Sequence, residues 1–380
     1  MKKLMLVILD GAADKGRSAY ASAKKPYIDM LAANSACGLW TGVRSAAYNK
    51  RSMSSLATLE ILGYSGKDEP GRGYLEALWL GPVPHGAVCL RGDFATLKDG
   101  KITDRRGGRD ETGLDEIVHD INKEITSIGD VKTKVYRTVG HRFVLMLTGK
   151  GISRHVTDGD ISDKPEKIFA AEKGAQKTSD VLNEFVERSG KLLASHPVNK
   201  RRKLPANFLL LRSAGSEQKV ESFFKKYGMK ACAISGVPIV IGICRYLGID
   251  VIDTPPSQLE GDLFVRTHKA IDALEKYDVV LLHINGADIY AHDRDFEGKV
   301  NYLERIDAEV FSQITKLRHI NIAVISDHIT YSVTGDHEFG PVPFLVYGCE
   351  EEADGSRFDE KNSSDFHTDN PMKKIMSVIG

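Results

Sequence analysis

Three aspartates each stand where an apolar run stops: residues 4–9 end at Asp10, residues 279–284 lead to Asp288, and residues 322–325 lead through Ser326 to Asp327. Histidines accompany two of them. His292 follows Asp288 by four residues, His328 follows Asp327 directly, and His337 comes shortly after. Carboxylate oxygens and imidazole nitrogens are the donors that hard and borderline divalent cations take. So many of them on well-separated segments exceed what one tetrahedral site uses, and the pattern reads as two ions. A close pair of ions can clamp both the attacking and the leaving oxygen of a phosphoryl transfer. Singly, an Asp after a strand is equally a turn or helix-capping residue, and a lone His is equally a satisfied core or surface group. The case rests on the set. Asp288 and His292 share one face if their segment is a helical turn. His283 lies inside an apolar run and is expected in the core, and His367 in a polar tail is expected to be solvated.

A nucleophile is available close by in sequence order. Ser52, Ser54 and Ser55 precede an apolar helix expected over about 56–62 and closed by Gly63. The first turn of a helix leaves backbone N–H groups free, which favours an anion such as phosphate. Serine is also among the preferred N-cap residues, so capping is the simpler reading of these residues alone, and one serine can both cap and ligate.

The elements that must position these groups are legible as α/β. Short β-branched runs read as strands buried on both faces of a parallel sheet, where ligands sit beyond the carboxyl ends. That placement makes the three aspartates converge. Helices are expected over 27–36 and 264–274, and Val300, Leu303, Ile306, Val310, Ile314 and Leu317 mark one face of another. Between about Pro84 and Met229 the pattern shifts to alternating segments among Gly-rich turns and clustered arginines. We read residues 1–83 and 230–380 as one domain and 84–229 as an inserted α+β domain, with linker signals at Gly81-Pro82 and over 228–236.

Composition narrows the function classes. The 380 residues carry a formal net charge of +0, and the one basic run, over 200–203, reads as a solvated loop. Nucleic-acid binding is therefore not expected. No apolar stretch reaches the length of a membrane span. The short run after Met1-Lys2-Lys3 ends in Asp10-Gly11 rather than a cleavage site, so it reads as a first strand. Five scattered cysteines without a CxxC pair suggest a reducing cytoplasm without disulfides. The oligomeric state is left open.

Several motifs, in order and nearly end to end, carry a family resemblance. Asp10-Gly11 after the first strand, Ser54 before a helix ending Leu62-Gly63-Tyr64, Gly71-Arg72-Gly73 leading to Leu75-Glu76-Ala77, and DRRGGR over 104–109 open the series. DxxxH at Asp288 and His292 with DFEGKV over 295–300, SDH over 326–328, and His337 before Pro341-Val342-Pro343 complete it. The chain resembles the archaeal-type cofactor-independent phosphoglycerate mutases, related to the alkaline phosphatase superfamily. The resemblance implies an alkaline-phosphatase-like core with a mostly parallel sheet. It implies Ser54 as a phosphorylated nucleophile, one metal on Asp10, Ser54, Asp327 and His328, and a second on Asp288, His292 and His337. The metal would be manganese, with magnesium, cobalt and zinc as alternatives.

Phosphoglycerate carries a phosphate and a carboxylate, and guanidinium forks match both bidentately. Arg105, Arg106 and Arg109 are the first choices for that clamp, with Arg142, Arg212 and Arg72 behind them; a surface ion pair is the bland alternative for each. The implied activity interconverts 3-phosphoglycerate and 2-phosphoglycerate through phosphoserine, without bisphosphoglycerate. The surroundings of Ser54 depart from the family pattern: this chain reads SMSSLATL where PGSDTAHL is usual, with Met53 for glycine, Ser55 for aspartate and Thr58 for histidine. Residues 361–370 also lack the usual glycine-rich run. The changed charge and backbone freedom at the helix start keep two other readings open. One is a metal-dependent phosphatase or mutase acting on another small phosphorylated metabolite at the same site with a different clamp; the other is a non-catalytic relative, and Ser55 stands as a substitute candidate for the nucleophile.

Overall fold

A computed structural model describes residues 3–43, 53–254, 262–348, 357–361 and 366–379. The chain divides into two compact units. Met1–Glu69 with Val220–Gly380 form the first, and Pro70–Lys219 the second.

The first unit is built on an eight-stranded sheet. Its spatial order is Asp250–Val251, Ala231–Ile234, Val279–Ile284, Lys3–Leu9, Ile320–Ser326, Val342–Tyr347, Ser35–Trp40 and Phe366–Thr368. All neighbours are parallel except those of Val342–Tyr347, which runs against both of its partners. The opening strand lies at the centre, with Leu9 opposite both Ile284 and Ser326. Every residue of 4–9, 279–284 and 321–326 is buried. Continuous apolar strands of this kind require cover on both faces, which is why they read as unbroken runs rather than alternations.

The second unit holds a six-stranded antiparallel sheet centred on Val88–Lys98, which pairs with Lys101–Asp104, Arg142–Thr148 and Phe208–Ser216. Leu114, Ile117 and Ile121 of one helix and Leu182 and Phe185 of another form its core with Phe94, Phe143 and Leu145. The boundaries lie earlier than the sequence-based 83/84 and 229/230. Helix Arg72–Leu80 belongs to the second unit because Gly73 brings it against the Cys89 backbone with no room for a Cβ. Gly81-Pro82 is therefore the end of that helix rather than a domain border.

Other expectations shift locally. The helix expected over 27–36 is Pro26–Ala33, because Ser35–Trp40 is drawn into the sheet by Val342–Tyr347. The stripe from Val300 to Leu317 is one helix to Ile306, a π-helical stretch Asp307–Phe311, and a final turn Ser312–Ile314. Within the basic run, Arg202 is buried and donates to the carbonyls of Gly107, Asp110 and Thr112, so it fastens a loop instead of facing solvent. Among the described residues no helix is long and apolar enough to cross a membrane. Cys37, Cys89, Cys232 and Cys244 are buried and unbridged, and Cys349 lies outside the described residues.

Candidate active site

The carboxyl ends of the three central strands bring Asp10, Asp288, Asp327 and His328 together, as parallel topology demands. Asp288 lies in the first turn and His292 at the end of the short helix Gly286–His292, so both present their side chains on one face. His337 is carried by a hairpin of Ile329–Tyr331 and Asp336–Glu338, where it lies opposite Thr330. Gly11 has φ +59, and a Cβ there would collide with Asp288 and Thr330. Glycine after Asp10 is thus what lets the segments close up.

Ser54 lies in the first turn of helix Met53–Ile61, which begins earlier than the expected 56–62; Ser52 lies outside the described residues. Ser54 Oγ is 3.1 Å from His328 Nε2. The same nitrogen is 3.3 Å from Asp10 Oδ1 and 3.3 Å from Asp327 Oδ2. On the other side, Asp288 Oδ2 is 3.3 Å from His292 Nε2 and Asp288 Oδ1 is 3.5 Å from His337 Nε2. The two imidazole Nε2 atoms face each other at 3.1 Å. They can share at most one proton, and otherwise need a cation.

Among the described residues, three groupings of donor atoms lie close enough to hold an ion: Asp288, His292 and His337; Asp10, Asp288 and His328; and Asp10, His283 and Asp327. Asp10 Oδ1 and Asp327 Oδ2 are buried without a hydrogen-bond partner. Two buried carboxylates turned toward one another with unpartnered oxygens fit a divalent ion. Supporting bonds fix the donors as metal sites require. Gly11 N and His328 N donate to Asp327 Oδ1 at 2.9 and 2.8 Å, and His292 Nδ1 donates to Gly335 O at 2.6 Å, leaving its Nε2 toward the cluster.

Electrostatics tell the same story. Burial pushes the Asp10 carboxyl well above the usual carboxylate range, and nearby Asp327 and Asp288 push it the same way. Burial likewise raises Asp327 to about 6 and depresses His328 to about 3. Asp288 is buried too, but hydrogen bonding to His292 and His337 outweighs that and holds it well below the usual range, while Asp288 raises His292 to about 8. Crowded carboxylates and a cation-averse imidazole are the state that a bound metal relieves.

His283, expected in the core, is indeed buried, yet its Nε2 is unpartnered and 3.5 Å from Asp10 Oδ2. Thr330 was not signalled by the sequence at all. His367 is exposed, within a short edge strand.

A sequence model described as 2,3-bisphosphoglycerate-independent phosphoglycerate mutase matches residues 32–199. A protein of that name from Picrophilus torridus is 35% identical over 362 residues, covering 91% of this chain and 88% of its own. The chain belongs to this family. The solved cofactor-independent phosphoglycerate mutase of Thermoplasma acidophilum superposes with a TM-score of 0.71 at 31% identity, covering 100% of both chains. A Pyrococcus horikoshii protein superposes with a TM-score of 0.82 at 25% identity, covering 99% of this chain and 97% of its own.

For a member of the phosphoglycerate mutase family, the residues around the serine are the point of departure. Ser55 donates to Glu69 Oε1 at 2.7 Å, and Thr58 donates back to Ser54 O at 2.8 Å. Of the two described hydroxyls at this helix start, Ser54 is the one that meets His328.

The family member's second unit gathers guanidinium groups. Arg72 donates to Glu76 Oε1 at 2.9 Å and Arg91 Nη1 is 3.3 Å from the same oxygen. Arg212 pairs with Asp93 and Asp160, and Arg105 pairs with Asp160. Burial lowers Arg91 to about 9, and Arg72, Arg142 and Arg212 add to the effect. Arg142 is lowered by burial as well, and its Nε is buried without a partner. Arg106 and Arg109 are exposed, Arg109 at φ 56. The sequence did not single out Arg91, although an arginine inside a strand as apolar as Val88–Lys98 was a signal in itself.

Proposed function

We propose that the protein is a metal-dependent phosphoglycerate mutase interconverting 3-phosphoglycerate and 2-phosphoglycerate without bisphosphoglycerate. Family membership makes it an enzyme, an isomerase. The observation that carries the mechanism is Ser54 Oγ, 3.1 Å from His328 Nε2, beside the unpartnered oxygens of Asp10 and Asp327. Asp10, Ser54, Asp327 and His328 would hold one divalent ion and Asp288, His292 and His337 a second, with manganese as the first choice. Such ions lower the pKa of a nearby hydroxyl and offset charge on the transferring phosphoryl group.

Ser54 Oγ attacks the substrate phosphorus in line; the Oγ–P bond forms as the P–O bond to carbon 3 breaks. The oxygen left on carbon 3 takes up the proton that the serine released. Glycerate then presents its carbon-2 hydroxyl to the phosphoserine, and the reverse exchange frees Ser54. Recognition of the substrate's two anionic groups falls to the second unit's arginines, with Arg72, Arg91, Arg142 and Arg212 foremost because they crowd more positive charge than Glu76, Asp93 and Asp160 offset. The four described cysteines, buried and unbridged, and the zero net charge support a cytoplasmic protein working on a small phosphorylated substrate rather than on nucleic acid.

Purified protein with 3-phosphoglycerate and manganese, followed by phosphorus NMR beside a chelated control, tests the reading. We expect 2-phosphoglycerate only with metal, and Ser54→Ala slower by at least about a thousandfold. Inorganic phosphate as the main product would make the protein a phosphatase, and full turnover by Ser54→Ala would overturn the nucleophile.

A further inference from the structure

We propose that Thr330 is a positioning residue that couples the two metal positions, its single hydroxyl orienting Asp288 on one side and His328 on the other. The inference rests on the two-metal reading above. Thr330 is fully buried; its Oγ1 is 2.6 Å from Asp288 Oδ1 and 3.1 Å from His328 Nδ1.

The directions of these bonds follow from a count of protons. A threonine hydroxyl has one hydrogen and an ionised carboxylate can only accept, so the hydrogen goes to Asp288 along the shorter contact. Oγ1 then offers only lone pairs to His328, and Nδ1 must carry the ring hydrogen. That leaves His328 Nε2 as a bare lone pair, aimed at the space bounded by Ser54 Oγ, Asp10 Oδ1 and Asp327 Oδ2. A ligating imidazole needs that tautomer. The hydroxyl is itself held in place. Thr330 N donates to Ala13 O at 3.2 Å, and Thr330 O accepts from the buried Lys299 Nζ at 3.0 Å. Asp288 enters two of the three donor groupings and His328 one, so Thr330 bonds to ligands of both ions.

A purely structural threonine would satisfy its hydroxyl in the same way but leave metal affinity alone once its volume is preserved. Thr330→Val keeps the branched shape without the hydroxyl, and Thr330→Ser keeps the hydroxyl without the methyl. Manganese binding to the full-length protein is measured by calorimetry against a competing chelator. We expect T330V to bind about 10–100-fold more weakly and T330S to stay close to wild type. Equal affinity of T330V and wild type would overturn the role of Thr330 alone. Wild type that takes up no manganese would overturn the metal reading and this inference with it. A second measurement needs no variant to fold: ring-nitrogen NMR of the metal-free wild type should find His328 protonated at Nδ1, and a hydrogen at Nε2 would overturn the assignment.

Discussion

An imidazole set among guanidinium groups takes a proton only against their field. His141 meets this condition in the second unit: burial pushes its pKa down to about 4, and Arg142, Arg106 and Arg91 push the same way against Asp93 Oδ1 at 3.5 Å. A histidine lowered in the folded state contributes stability that is complete above its unfolded pKa and is lost as pH falls through the folded value. The window here runs from 6.5 down to about 4. Because the side chain still keeps 13% of its exposure to water, the loss should be about 1–2 kcal/mol. Urea unfolding at neutral pH and near pH 4 should show this drop in wild type and a smaller one in His141→Gln; equal drops would exclude His141 as the source. Residues of this kind explain what the sequence could and could not disclose. Asp10, Asp288, Asp327, His292 and His328 stand at places that strand ends define, so their convergence was legible from apolar runs alone. Thr330 and the unpartnered Nε2 of His283 beside Asp10 depend on neighbours supplied by remote segments, and no spacing in the chain encodes them.

At the scale of elements, the loops that follow the opening strand and the Ile320–Ser326 strand are tied together by one buried cation. Lys299, on helix Phe296–Ile306, is fully buried and donates to Asp14 Oδ2 at 2.8 Å, Ala13 O at 3.1 Å and Thr330 O at 3.0 Å. Asp14 also accepts from Ser332 N and Oγ at 3.0 Å. Removing one partner of a buried pair leaves the other charge uncompensated, so Lys299→Met should destabilise the protein by about 3–5 kcal/mol. Chemical unfolding of the metal-free protein measures it; a change below about 1 kcal/mol would mean the pair behaves as an exposed one. Sequence pattern located these elements and misjudged their ends for a consistent reason. The chain around Ala33-Asn34-Ser35 holds no glycine or proline to announce a stop, and the strand there exists because Val342–Tyr347 pairs with it from a distance. The stripe from Val300 to Leu317 kept helical spacing, yet the backbone widens into a π-helical stretch at Asp307, whose carboxylate accepts the N–H groups of Tyr27 and Ile28.

The whole molecule joins a discontinuous unit that carries every proposed metal ligand to a continuous one, Pro70–Lys219, that carries the arginine cluster. Their stabilities should therefore respond differently to metal. A ligand that binds only the folded state stabilises it by RT ln(1 + [L]/Kd), about 2.7 kcal/mol at a hundredfold excess over Kd. The first unit should gain this on adding manganese, since the ion relieves the crowded carboxylates of Asp10 and Asp327, while the second unit holds no such grouping among its described residues. Scanning calorimetry of the full chain should then resolve a transition that rises with manganese and another that does not. The second unit has its own core around Phe94, Phe143 and Phe185, so the segment 70–219 made alone should unfold cooperatively at a temperature indifferent to the metal. Two results would refute this division of labour: a manganese-dependent shift in the isolated segment, or a first-unit transition that stays fixed while manganese is taken up.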